Sequence, residues 1–272
     1  MVDQETVVVI GAGNIGRALI GGMIHGELLA PEQLVATRRT PAALADLADE
    51  FPGLRTTTDN AAAAQEATVL VLTIKPQSRA EVITQIRERV SDDVLVVSVL
   101  AGVTTETLQY SFGHELPVIR AMPNTPALVD EGATALAGGT FATDTHLQMA
   151  QQIFEAVGEV DVVPEYLMDA VTGLSGSGPA YVYMFIEALT DAGVKQGLPR
   201  QTAARLATQT VYGAAKLVRD TGKHPAILRD EVTTPGGTAI AAVSALESHG
   251  LRTMMINAVA TATERSAELN EE

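Results

Sequence analysis

The feature that most constrains this chain is Gly11-Ala12-Gly13-Asn14-Ile15-Gly16, directly behind the β-branched run Thr6–Ile10 and ahead of a helical pattern over Asn14–His25. A lone G-x-G-x-x-G carries little information, but one that closes a strand and opens a helix has the required context. Gly11 permits the tight turn, Gly13 lets the backbone approach a pyrophosphate, and Gly16 lets the helix pack on the strand. The free N–H groups of that helix start, Asn14 and Ile15 among them, face the phosphates with the positive end of the helix dipole. The alternative is a glycine turn without a ligand.

The pattern downstream of the motif supports a doubly wound sheet. Leu34–Thr37 is a short apolar run, and Pro41–Glu50 reads as a helix with Pro in its first turn. Thr68–Ile74 and Val94–Val99 are strands flanking a helix over Pro76–Val90; Val118–Ala121 and Ala133–Ala137 add two more. Continuous apolar strands separated by helices predict a parallel sheet covered on both faces. This Rossmann-type α/β domain is expected to span residues 1–163.

From Glu165 the strand signals stop. Helical patterns run over Gly178–Gln196, Pro199–Asp220 and Gly237–Asn270, the last broken near His249–Gly250. The middle one is rich in small residues: Ala203, Ala204, Ala207, Gly213, Ala214 and Ala215. An all-helical domain over 164–272 has little core of its own, so helix exchange between two copies is one solution, and a bundle packed on the sheet is the other.

Composition excludes several classes. At 272 residues and 46% apolar content the chain can bury a core. Its net charge of −15 is the wrong sign for a broad nucleic-acid face. Without cysteine there is no disulfide, thiolate nucleophile or Cys-ligated metal. No run reaches the roughly 18 apolar residues of a membrane span. The first residues carry acids where a signal peptide carries bases. A soluble, cytoplasmic protein is expected. Only Lys75, Lys195, Lys216 and Lys223 are lysines. That bias fits a high-salt cytoplasm or an ordinary acidic enzyme from a GC-rich genome.

Further segments carry chemistry. An NAD site places an acid at the end of the second strand; this chain has Thr37-Arg38-Arg39-Thr40 there. Two guanidiniums suit a 2′-phosphate, so NADP is favoured, with NAD retained as possible. Thr73-Ile74-Lys75-Pro76-Gln77 and Ser98-Val99-Leu100-Ala101-Gly102 end strands where a nicotinamide ribose would pass, although Lys75 also reads as an exposed loop lysine. Arg120-Ala121-Met122-Pro123-Asn124-Thr125-Pro126 fixes an unusual loop at another strand end. Thr233-Thr234-Pro235-Gly236-Gly237-Thr238 opens a helix on two glycines, a nest of N–H donors suited to a carboxylate. The five histidines are scattered, and no metal-ligand spacing or hydrolase elbow occurs.

Taken together, Gly11–Gly16 with Asn14, Lys75-Pro76-Gln77, RAMPNTPA from Arg120, GLSGSGPA from Gly173 and HPAILRDEVTTPGGT from His224 resemble the pyrroline-5-carboxylate reductase family across nearly the whole chain. The resemblance implies a dinucleotide-binding domain joined to a helical dimerisation domain, in dimers or higher oligomers of dimers. It implies hydride transfer from NADPH or NADH to the imine carbon of 1-pyrroline-5-carboxylate, giving L-proline, the last step of proline biosynthesis. The substrate carboxylate would rest on the backbone of Thr234, Pro235, Gly236, Gly237 and Thr238, facing the nicotinamide of the partner's cofactor domain. Thr238 and Lys75 become the catalytic candidates. Gly11, Gly13, Asn14, Ile15, Gly16, Arg38, Arg39, Lys75, Pro76, Ala101 and Asn124 become the cofactor-binding ones. One position departs: the family keeps a second threonine, thought to meet the imine nitrogen, where this chain has Ala239.

Two other readings compete. A β-hydroxyacid dehydrogenase pairs similar domains but needs a lysine early in the first helix of its second domain; here that helix carries only Lys195, at its far end. Reduction of another cyclic imine and a non-catalytic NADP-binding role are the remaining alternatives.

Overall fold

A computed structural model describes residues 2–271 of the chain. Its sheet has eight strands: β1 Val7–Ile10, β2 Leu34–Thr37, β3 Arg55–Thr57, β4 Val69–Leu72, β5 Leu95–Ser98, β6 Val118–Met122, β7 Gly132–Gly138 and β8 Gly158–Val162. They lie in the order β3-β2-β1-β4-β5-β6-β7-β8. The order turns back beside β1, where β2 lies on one side and β4 on the other. In such sheets ligands bind beyond the carboxyl ends of the strands.

Alternation along the central strands builds two cores. Val7, Val9, Val69, Val71 and Val97 face α1 (Asn14–His25), α2 (Pro41–Glu50) and α6 (Asp144–Glu155), burying Leu19, Leu47 and Phe154. Val8, Ile10, Leu70, Leu72 and Val96 face α3 (Asn60–Gln65), α4 (Arg79–Ile86) and α5 (Thr105–Phe112), burying Ala63, Ile83 and Leu108. Strands buried on both faces have no polar side to show, hence their unbroken Val, Ile and Leu runs.

Three expectations need correction. β7 pairs antiparallel to β6, so the sheet is mixed. The reason is loop length: only a 3₁₀ turn over Thr125–Val129 lies between the two strands, and a parallel return needs a crossover of a dozen or more residues. The helix expected over Pro76–Val90 is a 3₁₀ turn, Pro76–Ser78, followed by α4, which stops at Ile86. The chain then turns so that Val90 and Val94 can enter the second core. β3 and β8 form the two sheet edges; neither has a buried residue, and both lack the apolar run that marks the inner strands.

Contacts divide the chain into two compact units. One runs to Ser177 and takes in the segment from Thr261 onward; the other is Gly178–Ala260. The segment after residue 163, which the sequence places with the helices, packs in the first unit, with α7 (Met168–Val171) bringing Met168 against Ala135 and Ala137 of β7.

The second unit holds α8 (Gly178–Lys195), α9 (Arg200–Thr221), α10 (Pro225–Glu231) and α11 (Thr238–Ser248). α12 (Leu251–Glu271) begins in it after a break at Gly250, whose φ is +74°. Gly193 and Ala203 let α8 and α9 approach closely across the turn at Gly197. Only Thr190, Ala203 and Ala207 are buried in this unit, while Tyr183, Met184, Leu206, Tyr212 and Leu217 are exposed. Among the described residues no helix is long and apolar enough to cross a membrane.

Candidate functional site

The glycine motif forms the cradle its sequence context requires. Gly11 has φ +84°, and a Cβ there would run into the Ile74 side chain. The N–H groups of Gly11 and Ala12 donate to the Thr37 carbonyl at 3.1 and 2.9 Å, fastening the loop to the end of β2. Gly13 then caps α1 without any side-chain cap. The first-turn amides, including Asn14, Ile15 and Gly16, therefore have no acceptor within the helix and stay available to a ligand. A Cβ on Gly16 would lie 2.7 Å from Thr73 Oγ1 and 3.0 Å from Val9 Cγ1, so glycine sets the helix-to-sheet spacing.

Beside the cradle lies a cleft of about 340 Å³ whose lining includes Gly11, Gly13, Arg38, Arg39 and Lys75. One carboxylate, Glu81, shares the lining with these three cations. None of the three is in an ion pair among the described residues. Three adjacent, unneutralised cations around free amides attract a polyanion. Lys75 and Arg39 are exposed and Arg38 is half-buried.

The floor is a relay that sequence reasoning missed. Thr37 Oγ1 accepts from Gly11 N–H at 3.3 Å and donates to Asn60 Oδ1 at 2.7 Å. Asn60 Nδ2 donates in turn to Gln85 Oε1 at 2.8 Å. Asn60 follows the unrecognised strand β3. Its signal was Asp59, an N-cap whose carboxylate accepts the N–H groups of Ala61 and Ala62 at 3.0 Å each.

Other expected residues stand along the same sheet edge, outside the cleft. Pro76 opens the turn just past Lys75. Ala101, half-buried, follows β5, and Gly102 turns the chain with φ +69°. Asn124 follows β6, but both ends of its amide are committed to backbone: Nδ2 donates to Ser175 O at 3.1 Å, and Oδ1 accepts Ala133 N–H at 2.9 Å.

The second nest lies in the other compact unit. Gly236 has φ +70°, and Gly237 N–H donates to Thr234 O at 2.9 Å. Gly237 caps α11 with no side-chain partner. Ala241 N–H reaches back to Gly237 O at 3.3 Å, leaving the amides of Thr238, Ala239 and Ile240 without helical acceptors. Thr234, Pro235, Gly236 and Thr238 are exposed, and Ala239 is half-buried. An exposed triad of amides at a helix start suits a small carboxylate.

Comparison with known proteins agrees with both halves. Residues 165–269 match the model described as pyrroline-5-carboxylate reductase dimerisation, and residues 6–102 match one described as NADP oxidoreductase, coenzyme F420-dependent. The pyrroline-5-carboxylate reductase of Methanosarcina acetivorans is 43% identical over 267 residues, 98% of each chain. That of Escherichia coli is 40% identical over 267 residues, 98% of this chain and 99% of its own. Among solved structures, the Coxiella burnetii pyrroline-5-carboxylate reductase superposes with a TM-score of 0.94 at 36% identity, covering 98% and 99% of the two chains. The Plasmodium falciparum pyrroline carboxylate reductase with NADP bound does so with 0.86 at 29% identity, again covering 98% and 99%.

Proposed function

Because this chain belongs to the pyrroline-5-carboxylate reductase family, we propose that it reduces 1-pyrroline-5-carboxylate to L-proline with NADPH, closing proline biosynthesis. The observation that carries the reading is the pair of amide nests, one flanked by three unpaired cations, on a chain that aligns end to end with these reductases.

The residues present fit the cofactor. Gly11 and Gly13 leave room for a pyrophosphate on the first-turn amides of α1. Arg38 and Arg39 stand at the end of β2, where a 2′-phosphate would lie. The same cradle accepts NADH without those two contacts, so NADPH is the preferred and not the exclusive cofactor. When bound, the nicotinamide supplies the hydride, and the protein supplies binding and orientation.

The chain's own residues have three tasks. The amides of Thr238, Ala239 and Ile240 anchor the substrate carboxylate. Lys75 and the loops after β4 and β5, with Ala101, hold the ribose so that donor and imine carbons come within about 3–3.5 Å. The imine nitrogen receives a proton and the carbon receives the hydride, so imine, NADPH and one proton give proline and NADP⁺. Metal ions have no part in this scheme.

The exposed apolar residues of α8 and α9 fit a homodimer, with higher oligomers of dimers built on it. We place the enzyme in the cytoplasm, where a cysteine-free, acidic chain needs no oxidative maturation. The deciding experiment follows NADPH oxidation with 1-pyrroline-5-carboxylate and with other cyclic imines. Turnover of the carboxylated five-membered imine at the highest kcat/KM is expected. A preference for another imine would reassign the substrate, and NADPH binding without turnover of any imine would overturn the enzymatic reading.

A further inference from the structure

The turn between α7 and α8 is not α-helical. Ser177 N–H donates to Thr172 O at 2.8 Å, five residues back, so Thr172–Gly176 is a single π-turn. Such turns are rare and recur at functional sites. Its cause is local. The carbonyl of Ser175 would normally receive the N–H four residues on, but that residue is Pro179, which has none. Asn124 Nδ2 takes that role at 3.1 Å. The other end of the same amide accepts Ala133 N–H at 2.9 Å, which fixes its orientation. Met122 adds a steric pin, since any side chain on Gly176 would meet its terminal methyl.

The location gives the turn its meaning. β4, β5 and β6 are neighbours and parallel. Their register, with Ser98 opposite Arg120, puts Pro123 and Asn124 on the same sheet edge as Ala101 and Gly102. That edge continues the line from the pyrophosphate cradle past Lys75. On the reading above, it is where the nicotinamide end of the cofactor runs.

We propose that Asn124 is a positioning residue for hydride transfer: it holds no part of the cofactor, but fixes the Thr172–Gly176 π-turn as a wall beside the nicotinamide end. The inference rests on the reductase reading. It replaces the expectation that Asn124 binds the cofactor directly. A wall held by one side-chain amide has a sharp chemical signature. Asn124→Asp keeps the size and the acceptor for Ala133 N–H, but sets a carboxylate oxygen against the Ser175 carbonyl.

The test compares wild type, Asn124→Asp and Asn124→Ala, the last removing both bonds without adding charge. Amide exchange of the apo protein, read by mass spectrometry on peptides covering 172–177, reports the turn itself. NADPH affinity is measured by fluorescence titration, and kcat and KM with saturating partners. Expected are faster exchange at 172–177, NADPH Kd within about threefold of wild type, and kcat down by about 10- to 100-fold, the scale of a misplacement near 1 Å. Unchanged exchange would overturn the bond's role in holding the turn. Faster exchange with unchanged kcat would show that the turn does not position the reaction. An NADPH Kd weakened as much as kcat falls would make Asn124 a cofactor ligand after all. An inactive wild type overturns the reductase reading and the positioning role with it, yet leaves the exchange result to report on the turn alone.

Discussion

Ser266 Oγ donates to Asp169 Oδ1 at 2.8 Å, joining side chains 97 positions apart. Asp169 also lies 3.6 Å from the Arg120 guanidinium, which in turn lies 3.9 Å from Glu165. Glu165 accepts the N–H and hydroxyl of Thr105 at 2.7 and 2.6 Å. Arg120 and Ser266 are 3% and 4% exposed, so this polar cluster sits inside the first unit. It ties β6, the start of α5, α7 and the end of α12 together. The segment that leaves for the helical unit and the one that returns from it thus meet at Asp169.

Removing Arg120 would take the facing cation away from two carboxylates, both more than two-thirds buried. Arg120→Met should cost about 3–5 kcal/mol of stability, the usual result of breaking a buried ion pair from one side. Ser266→Ala removes one hydrogen bond and should cost about 1 kcal/mol. Urea denaturation checks both; equal, small losses would mean the cluster is solvated and weak.

This cluster also marks the limit of what the sequence reveals. Val7–Ile10, Gly11–Gly16 and the break at Gly250 were legible because period, glycine geometry and helix length are local properties. The direction of β7 was hidden in a loop too short for a crossover. β3 and β8 lack apolar runs because edge strands face solvent. Arg120 was visible only as part of a motif. Its partners Glu165 and Asp169 come from another part of the chain, and no spacing rule reaches that far. Asn124 stood out in its motif, but its bond to Ser175 O was not legible, because the carbonyl it satisfies lies 51 residues away.

Cofactor choice is the second prediction. Arg38 and Arg39 line the cleft with no acid at the end of β2. Replacing both by alanine should raise the NADPH KM far more than the NADH KM. Each lost charge-assisted bond is worth about 1.5–3 kcal/mol. Steady-state kinetics with both cofactors decides; equal effects would move the 2′-phosphate away from these residues.

The third prediction concerns a shared active site. A Gly13→Val chain, blocked in the phosphate cradle, and a Gly237→Val chain, blocked in the carboxylate nest, should each be inactive. If the nest of one copy works with the cradle of its partner, mixed dimers regain one intact site. Activity should return to about a quarter of wild type at equal, random mixing. No recovery despite subunit exchange shown by mass spectrometry would place both nests of each site on one copy.

A pH effect follows from His146. It caps α6: its Nδ1 accepts Thr143 N–H at 3.2 Å while its own N–H donates to Thr143 Oγ1 at 3.3 Å. Burial lowers its pKa from the ordinary 6.5. A histidine with a depressed folded pKa binds fewer protons folded than unfolded, so its contribution is present above pH 6.5 and lost as pH falls through the folded value. Stability should therefore drop on acidification below about pH 6.5. His146→Gln, which can make the same capping box, should remove that component. Denaturation at pH 7.5 and 5.5 for both proteins checks it; parallel losses would assign the effect to other groups.

The last prediction turns on Ala239. Family resemblance puts a hydroxyl there, meeting the imine nitrogen, and this chain has a methyl. Thr238 is adjacent, but neighbouring side chains on a helix do not share a face. Thr238 is also exposed where Ala239 is half-buried, so the two point into different surroundings. An ordered water in the space of the missing hydroxyl is the simpler donor, because such water-mediated bonds cost little. Ala239→Thr should then be tolerated and raise kcat modestly, by up to about tenfold, or roughly 1.4 kcal/mol. Thr238→Val should weaken substrate binding or the start of α11 more than it slows the chemical step. Measuring kcat and KM for both variants at saturating NADPH separates the possibilities. A collapse of kcat in Thr238→Val with KM unchanged would make Thr238 itself the donor and remove the need for the water.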